Sequence, residues 1–525
     1  MRIDYEVEPG NFIEDASRQL FYRLSHSSSD RRSRCRFWTW LLRNSEVLSG
    51  GVKTMRGMAQ NFIACDREQE LLLPPSLREW LPADHLVWFV IDVVGGMDLD
   101  AFVSVYRRDG QGRPAHDPAM MVALLVYAYS RGQRSSRGIE RACIEDIAFR
   151  VVAANRVPDH TTIARFRQRH ETALGGLFGE VLALCADAGL TGVEVLAVDS
   201  TKVHANASGQ VNRDYEQIAR VILEQADEID TAEDEQFGEG RGDELPPELS
   251  TAAGRQGWLR DARQRLDAKR AAEARPIARS RPTRLREAKR RLEEDLRVER
   301  DANATYEAYR ARGVMKDGRR FGGPPKPYEP PTVPAGKINV TDPDCRPMKA
   351  RRGFIQGYNA QAVVNEQRII LAAELGTRSP DFGLLGPTVS AALAELDAVG
   401  VMEVPGVVLA DAGYWHQQQM DELLVEHGVQ VLIPPDASNR TTSRPGWNGG
   451  RYAFMRRVLQ TELGKSLYRR RKALIEPVFG HTKFNRRIDR FQRRGLAACR
   501  SEWRLIAATH NLTKLHRRHL AAQAA

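Results

Sequence analysis

At 525 residues the chain is longer than one hydrophobic core usually serves, so two or three domains are expected. Lysine and arginine number 78 against 68 aspartates and glutamates, and from Arg451 onward the balance is 19 basic to 4 acidic, a field suited to a polyanion. The 6 cysteines show no C-x-x-C spacing, and the longest apolar runs fall short of the roughly 18 residues that span a bilayer. These facts exclude a disulfide scaffold, a zinc knuckle and a membrane protein, and point to a soluble cytoplasmic one.

Residues 1–57 are polar, carry S-S-S-D-R-R-S-R and have no sustained period. They read as a disordered arm, or as translated upstream sequence before a start at Met55 or Met58. Asp4, Glu6 and Glu8 precede any apolar segment, so no signal peptide is expected. Residues 58–190 are predicted to be helical. Asp84 is a plausible N-cap for the run L-V-W-F-V-I-D-V-V, and Asp117-Pro118 opens a second helix with proline at its first position. Arg134 to Asn155 reads as a third. After V-P-D-H, a helix from Thr161 to His170 carries Thr161 and Thr162 in its first turn and Arg165, Arg167 and Arg169 on an expected exposed face. Two helices joined by a short turn, the second rich in Thr and Arg, suggest a DNA-binding helix-turn-helix; a merely solvated basic face is the alternative.

Val193 to Val198 is β-branched and apolar and reads as a buried strand that delivers Asp199 at its end. Residues 209–334 then interrupt the pattern. An acidic stretch from Asp214 precedes an Arg/Glu/Ala/Leu helix in which Leu259, Ala262, Leu266, Leu285, Ala288, Leu292 and Leu296 recur at coiled-coil spacing. Pro276 and Pro282 break it, so two antiparallel helices are expected, followed by a Pro-rich linker from Gly322 to Pro334.

Order resumes at Gly353 with a hairpin (Gly357–Asn365 and Arg368–Leu375). A helix from Phe382, a strand ending in Asp411, a helix to His427, the strand Val429–Pro434 and a basic helix through Tyr468–Lys483 complete the unit. Skipping the insertion, residues 191–208 and 335–500 have the element order of the ribonuclease-H-like fold, an α/β domain with a mixed sheet and flanking helices. Residues 501–525 are left as a basic C-terminal helix and tail. Gly464-Lys465-Ser466 lacks the upstream glycine of a phosphate loop, which excludes a nucleotide cofactor.

In that order Asp199 and Asp411 end neighbouring central strands, and Glu476 on the last helix can complete a cluster. Three carboxylates around a wet site suit Mg²⁺, and two such ions can activate a water or a 3'-hydroxyl against a phosphodiester. The competing readings are plain ones: turn caps for the two aspartates and a helix-face ion pair for Glu476. Asp342, Asp344 and Asp381 are rival acids, the first two in a turn-like T-D-P-D.

V-D-S-T-K-V-x-A-N-A-S, I-N-V-T-D-P-D-x-R-x-M-K, G-Y-N-A-Q, L-A-D-A-G-Y and I-E-P-V-F-G-H-T-K together resemble the DDE transposases of bacterial insertion sequences. The resemblance covers about Met58 to His516. It implies that Asp199, Asp411 and Glu476 bind two Mg²⁺ ions, for which Mn²⁺ can substitute, and that Lys483 contacts DNA phosphate near the cut. The family pattern places a tyrosine and an arginine seven and four residues before the glutamate. Here Arg469 and Lys472 hold those positions, with Tyr468 displaced by one. DNA contacts are accordingly expected from Lys483, Arg469, Arg471, Lys472, Arg486 and Arg487, and from Thr161, Thr162, Arg165 and Arg167. A DNA-bound homodimer joining element ends to target DNA in the nucleoid is the expectation. A nuclease of the same fold, and a catalytically inert DNA-binding regulator, are the alternatives.

Overall fold

A computed structural model of the chain describes residues 62–63, 65–69, 76–109, 114–237, 281–314, 320, 323, 325–350, 353–436 and 449–524. Residues 1–57 and the seam positions Leu259, Ala262 and Leu266 lie outside them. The helical part begins with a two-residue parallel pairing of β1 (Phe62–Ile63) with β2 (Ala115–His116), and α1 (Leu86–Gly96) and α2 (Asp100–Val103) lie between these strands in the chain. The N-cap of α1 is His85, whose Nδ1 accepts from the Val87 amide, rather than the expected Asp84. Asp117 does cap α3 (Pro118–Ser130), accepting from Ala119 and Met120, with Pro118 in the first turn. Apart from Ala119 and Ser130 every side chain of α3 is buried, as suits a helix at the centre of a core.

The expected third helix is two. Asp146 ends α4 (Ser136–Glu145) and caps α5 (Ile147–Val152) by accepting from Ala148 and Phe149, which stops the first helix from running on. Next come α6 (His160–Arg169) and α7 (Glu171–Asp187).

The central sheet is mixed. Its order is β10 (Val431–Leu432), β9 (Val407–Leu409), β3 (Val195–His204), β7 (Gly353–Val364) and β6 (Arg346–Ala350), with β8 (Ile370–Gly376) also paired to β7. β3 runs parallel to β9 and antiparallel to β7. It is longer than its apolar run predicts, because pairing with β7 continues from Ala197 to His204 after β9 has ended. β6 was not foreseen: residues 346–350 add a strand before the expected hairpin. Gly357 permits the close crossing of β7 on β3, since a Cβ there would stand 2.3 Å from the Val203 carbonyl oxygen.

The insertion leaves and re-enters through a small pairing of β4 (Asn212–Arg213) with β5 (Ile338–Asn339). Its helices α8 (Tyr215–Phe237) and α9 (Arg281–Ala311) pack through Ile218 against Leu285, Ala288 and Leu292, forming a small core of their own. Leu285, Ala288 and Leu292 are seam positions read from the sequence, but their partner is α8, from the stretch read only as acidic, and Pro282 sits in the first turn of α9, where its missing N–H costs nothing.

The remaining helices are α10 (Leu385–Ala398), α11 (Gln417–His427), α12 (Gly450–Gln460), α13 (Glu462–Gly480) and α14 (Leu496–Ala524). The C-terminal helix expected from residue 501 is part of α14, which starts at Leu496 and buries Trp503, Leu505, Ile506, Leu512 and Leu515. One continuous apolar core joins α1, α3 and α7 to the sheet and to α14. Buried polar contacts reinforce the join: Arg134 pairs with Glu502 at 3.1 Å, and Asn511 brackets the backbone of Ile370.

Candidate active site

β3 and β9 pair from Val195–Val407 to Ala197–Leu409, and continuing that register by two residues aligns Asp199 with Asp411. Two acids are thereby set side by side at the rim where β9 ends. Asp199 is not at a strand end, since β3 runs on to His204. Its Oδ1 accepts from the Ser200 amide at 2.8 Å and its Oδ2 from Arg471 at 2.7 Å. Asp411 serves as a turn cap as well, accepting from the Gly413 amide at 2.8 Å. Burial raises the Asp199 carboxyl to about 6; Arg471 and the Ser200 amide oppose the rise, and the neighbouring Asp411 adds to it.

A charged network lies close to the pair. Lys202 donates to Asn359 at 2.7 Å and to Asp381 at 3.4 Å, and Asp381 also accepts from Asn359 and Gln361. Gln361 in turn accepts from the buried Tyr414 hydroxyl. Lys202 and the amides of β7 were not foreseen as site residues. Their signal lay in the alternation of β3 and β7, which places Ser200, Lys202, Asn359 and Gln361 on one face once the register is known. Asp342 is structural: it is buried, accepts from Tyr358 at 2.8 Å and from the Gly495 amide at 3.0 Å. Asp344 holds the Leu496 amide and Arg291.

Glu476 is exposed on α13, whose inward residues are Arg471, Leu474, Ile475 and Val478. Among the described residues no group of three or more His, Cys, Asp or Glu side chains is close enough to hold a metal ion. Two side-by-side carboxylates, one of them buried Asp199 paired with the Arg471 guanidinium, nevertheless suit one hard divalent ion, which needs only one or two carboxylates.

The expected DNA contacts divide. Arg469, Lys472 and Arg487 are exposed, and Lys483 reaches the Lys202 carbonyl at 2.7 Å. Arg165 is exposed, while the hydroxyls of Thr161 and Thr162 donate to the N-cap Asp159 and hold its carboxyl well below the usual range. Three arginines are corrections. Arg167 is 7% exposed and donates to the Arg134 carbonyl, to Tyr129 and to Ser136, because α6 packs that face on α4. Arg486 is 4% exposed, tied to the Tyr129 and Ile506 carbonyls and to Thr509. Arg471 is 8% exposed and committed to Asp199. All three bridge packed elements instead of facing solvent.

Comparison with known families assigns the chain at both ends. Residues 75–169 match the family described as Transposase domain (DUF772), and residues 437–516 match the family described as Transposase DDE domain. Both matches support a DDE transposase of an insertion sequence. The second match spans Arg471, Glu476 and Lys483, while Asp199 and Asp411 lie between the two matched segments. No curated protein and no solved structure matches the chain. No helix among its described residues is long and apolar enough to cross a membrane.

Proposed function

We propose that this transposase binds the ends of its own element, cuts DNA by metal-dependent phosphodiester hydrolysis, and joins the freed 3'-hydroxyls to target DNA. The observation that carries the reading is the alignment of Asp199 with Asp411 on neighbouring parallel strands, flanked by a basic helix. The domain is read as ribonuclease-H-like, with Asp199, Asp411 and Glu476 as its acids. Mg²⁺ held there would supply the activation of the attacking oxygen and the neutralisation of the leaving one.

The chain's own residues do the rest. Lys202 and Asp381 fix the strand face beside the acids. Arg471 holds the Asp199 carboxylate in one orientation. Lys483, Arg469, Lys472 and Arg487 lie along one basic segment and would track the phosphate backbone, while Arg165 and the start of α6 would contact the duplex through the helical part. A homodimer would bring two ends together.

The test uses DNA carrying the element's ends with Mg²⁺. The native protein should nick the strand at the element boundary and join pre-cut ends to a target, whereas Asp199→Asn should bind but not cut. Cutting by Asp199→Asn at the native rate would overturn the mechanism, and cutting without joining would make the protein a nuclease.

A further inference from the structure

β9 ends at Leu409, so the edge of β3 beyond Ala197 has no strand beside it on that side. Residues 483–491 cover the edge instead. The His204 amide donates to the Asp489 carbonyl at 2.9 Å, the Phe491 amide donates to the His204 carbonyl at 2.8 Å, and Lys483 Nζ donates to the Lys202 carbonyl at 2.7 Å. The π-helical turn His481–Asn485 is thereby fixed against the strand that carries Asp199. It is also pinned from within. Thr482, Arg486 and Ile488 are buried; the Thr482 hydroxyl donates to the Val478 carbonyl at 2.9 Å, and Arg486 donates to the Tyr129 and Ile506 carbonyls. Phe484, set among these inward residues, faces outward and is 81% exposed. Its neighbours in the segment are the half-buried Lys483 and the exposed Asn485, Arg487 and Arg490, with Asp489 as the acid among them.

We propose that Phe484 is a stacking platform for an unpaired nucleobase of the DNA strand that enters the acid site, with Lys483 and Arg487 meeting the phosphates on either side. This rests on the reading of the protein as a DNA-cutting enzyme. Single exposed apolar residues are ordinary on a protein surface. Phe484 is set apart by a turn that cannot fold the ring back and by cations on both sides of it, which suit an apolar face carried on a polyanion. A ring already held in place gives up little freedom when it stacks. Having no hydrogen-bonding group, phenylalanine accepts the face of any base, so the contact positions the strand without reading its sequence. Lys202, which Lys483 grips, stands three residues along β3 from Asp199, about 10 Å at the usual rise of a strand. That is about three nucleotide steps of 3.4 Å, so the stacked base lies near the bond to be cut.

The test measures binding of the full chain to a fluorescein-labelled duplex carrying the element's end, without divalent metal so that nothing is cut. Native protein, Phe484→Leu, Phe484→Trp and Arg487→Gln are titrated over a range of salt, and abasic sites are placed one at a time along each strand. Phe484→Leu should bind about tenfold more weakly, the scale of one lost stack between a base and an aromatic ring. Its slope of log affinity against log salt should stay native, because a phenyl ring displaces no counterions, whereas Arg487→Gln should flatten the slope by about one. At one position the abasic site should weaken native binding about tenfold and leave Phe484→Leu unchanged, and Phe484→Trp should restore both affinity and the abasic response. Native affinity in Phe484→Leu would overturn the stacking role, as would abasic losses equal in both proteins at every position. A weakened Phe484→Leu with a lowered urea midpoint would overturn it too, by making the ring part of the fold. A native protein that binds no DNA would remove the DNA-cutting reading and this contact with it.

Discussion

Asp199 and Arg471 set each other's state. Burial pushes the carboxyl up and the guanidinium 2.7 Å away holds it down, with side chains only 20% and 10% exposed. Replacing Arg471 by Gln leaves two adjacent acids without their resident cation, which should cost about 3 kcal/mol in urea unfolding at neutral pH without divalent metal. Millimolar Mg²⁺ should return part of that loss, since a ligand held only by the native state stabilises it by mass action. No recovery would show that the aspartate pair does not take the ion. His510 carries a different pH signature. It is buried against the Arg368 carbonyl at 3.0 Å, and burial pushes its imidazole down to about 3. An unfolded histidine titrates near 6.5. Between those values the unfolded chain holds a proton that the folded chain does not. The stabilising contribution is therefore complete above about 6.5 and is lost as pH falls toward 3. His510→Gln should flatten the dependence of stability on pH between 6 and 4 by close to one proton, about 1.4 kcal/mol per pH unit. Equal slopes in both proteins would mean that His510 is protonated in the fold.

At the scale of elements, the α8–α9 hairpin is separable. It has its own core around Ile218 and Leu292, and the pairing of Arg213 with Ile338 brings its two ends side by side. Residues 214–337 should therefore be replaceable by Asn-Gly, a two-residue loop that closes antiparallel strands. The shortened protein should keep its helical circular-dichroism signature in proportion and lose no more than a few degrees of melting temperature. If these helices make the dimer, sedimentation should show the shortened chain as a monomer on DNA; a persisting dimer would place the contact elsewhere. A collapse of the fold would mean that Arg291–Asp344 and Arg346–Asp295, which tie α9 to the sheet side, are structural necessities.

At the scale of the molecule, the helical part and the sheet share one core and one set of buried ion pairs. Arg134 and Glu502, 368 residues apart in the chain, are 6% and 1% exposed and join the turn between α3 and α4 to α14. Arg134→Ala should lower stability by about 3–5 kcal/mol, because it strands a buried carboxylate. It should do so in a single unfolding transition followed by tryptophan fluorescence. Two transitions would mean that the helices and the sheet are independent domains. A shared core of this kind would fix the helices proposed to contact DNA rigidly relative to the acids.

The sequence alone determined what depends on neighbours in the chain. The apolar run of Val195 to Val198, the Asp117-Pro118 cap, the β7–β8 hairpin and the seam of α9 follow from local periodicity and capping, and each is present near its expected bounds. The expected position of Asp411 just past β9 also follows from the chain, whereas Asp199 lies inside β3, whose length its pairing with β7 decided. What tertiary structure decided was burial and phase. Basic composition could not tell that Arg167, Arg471 and Arg486 face inward, since guanidinium groups are placed by the elements that pack on them. Nor could spacing alone tell which face of α13 packs inward, which buries Arg471, Leu474, Ile475 and Val478 and leaves Glu476 exposed.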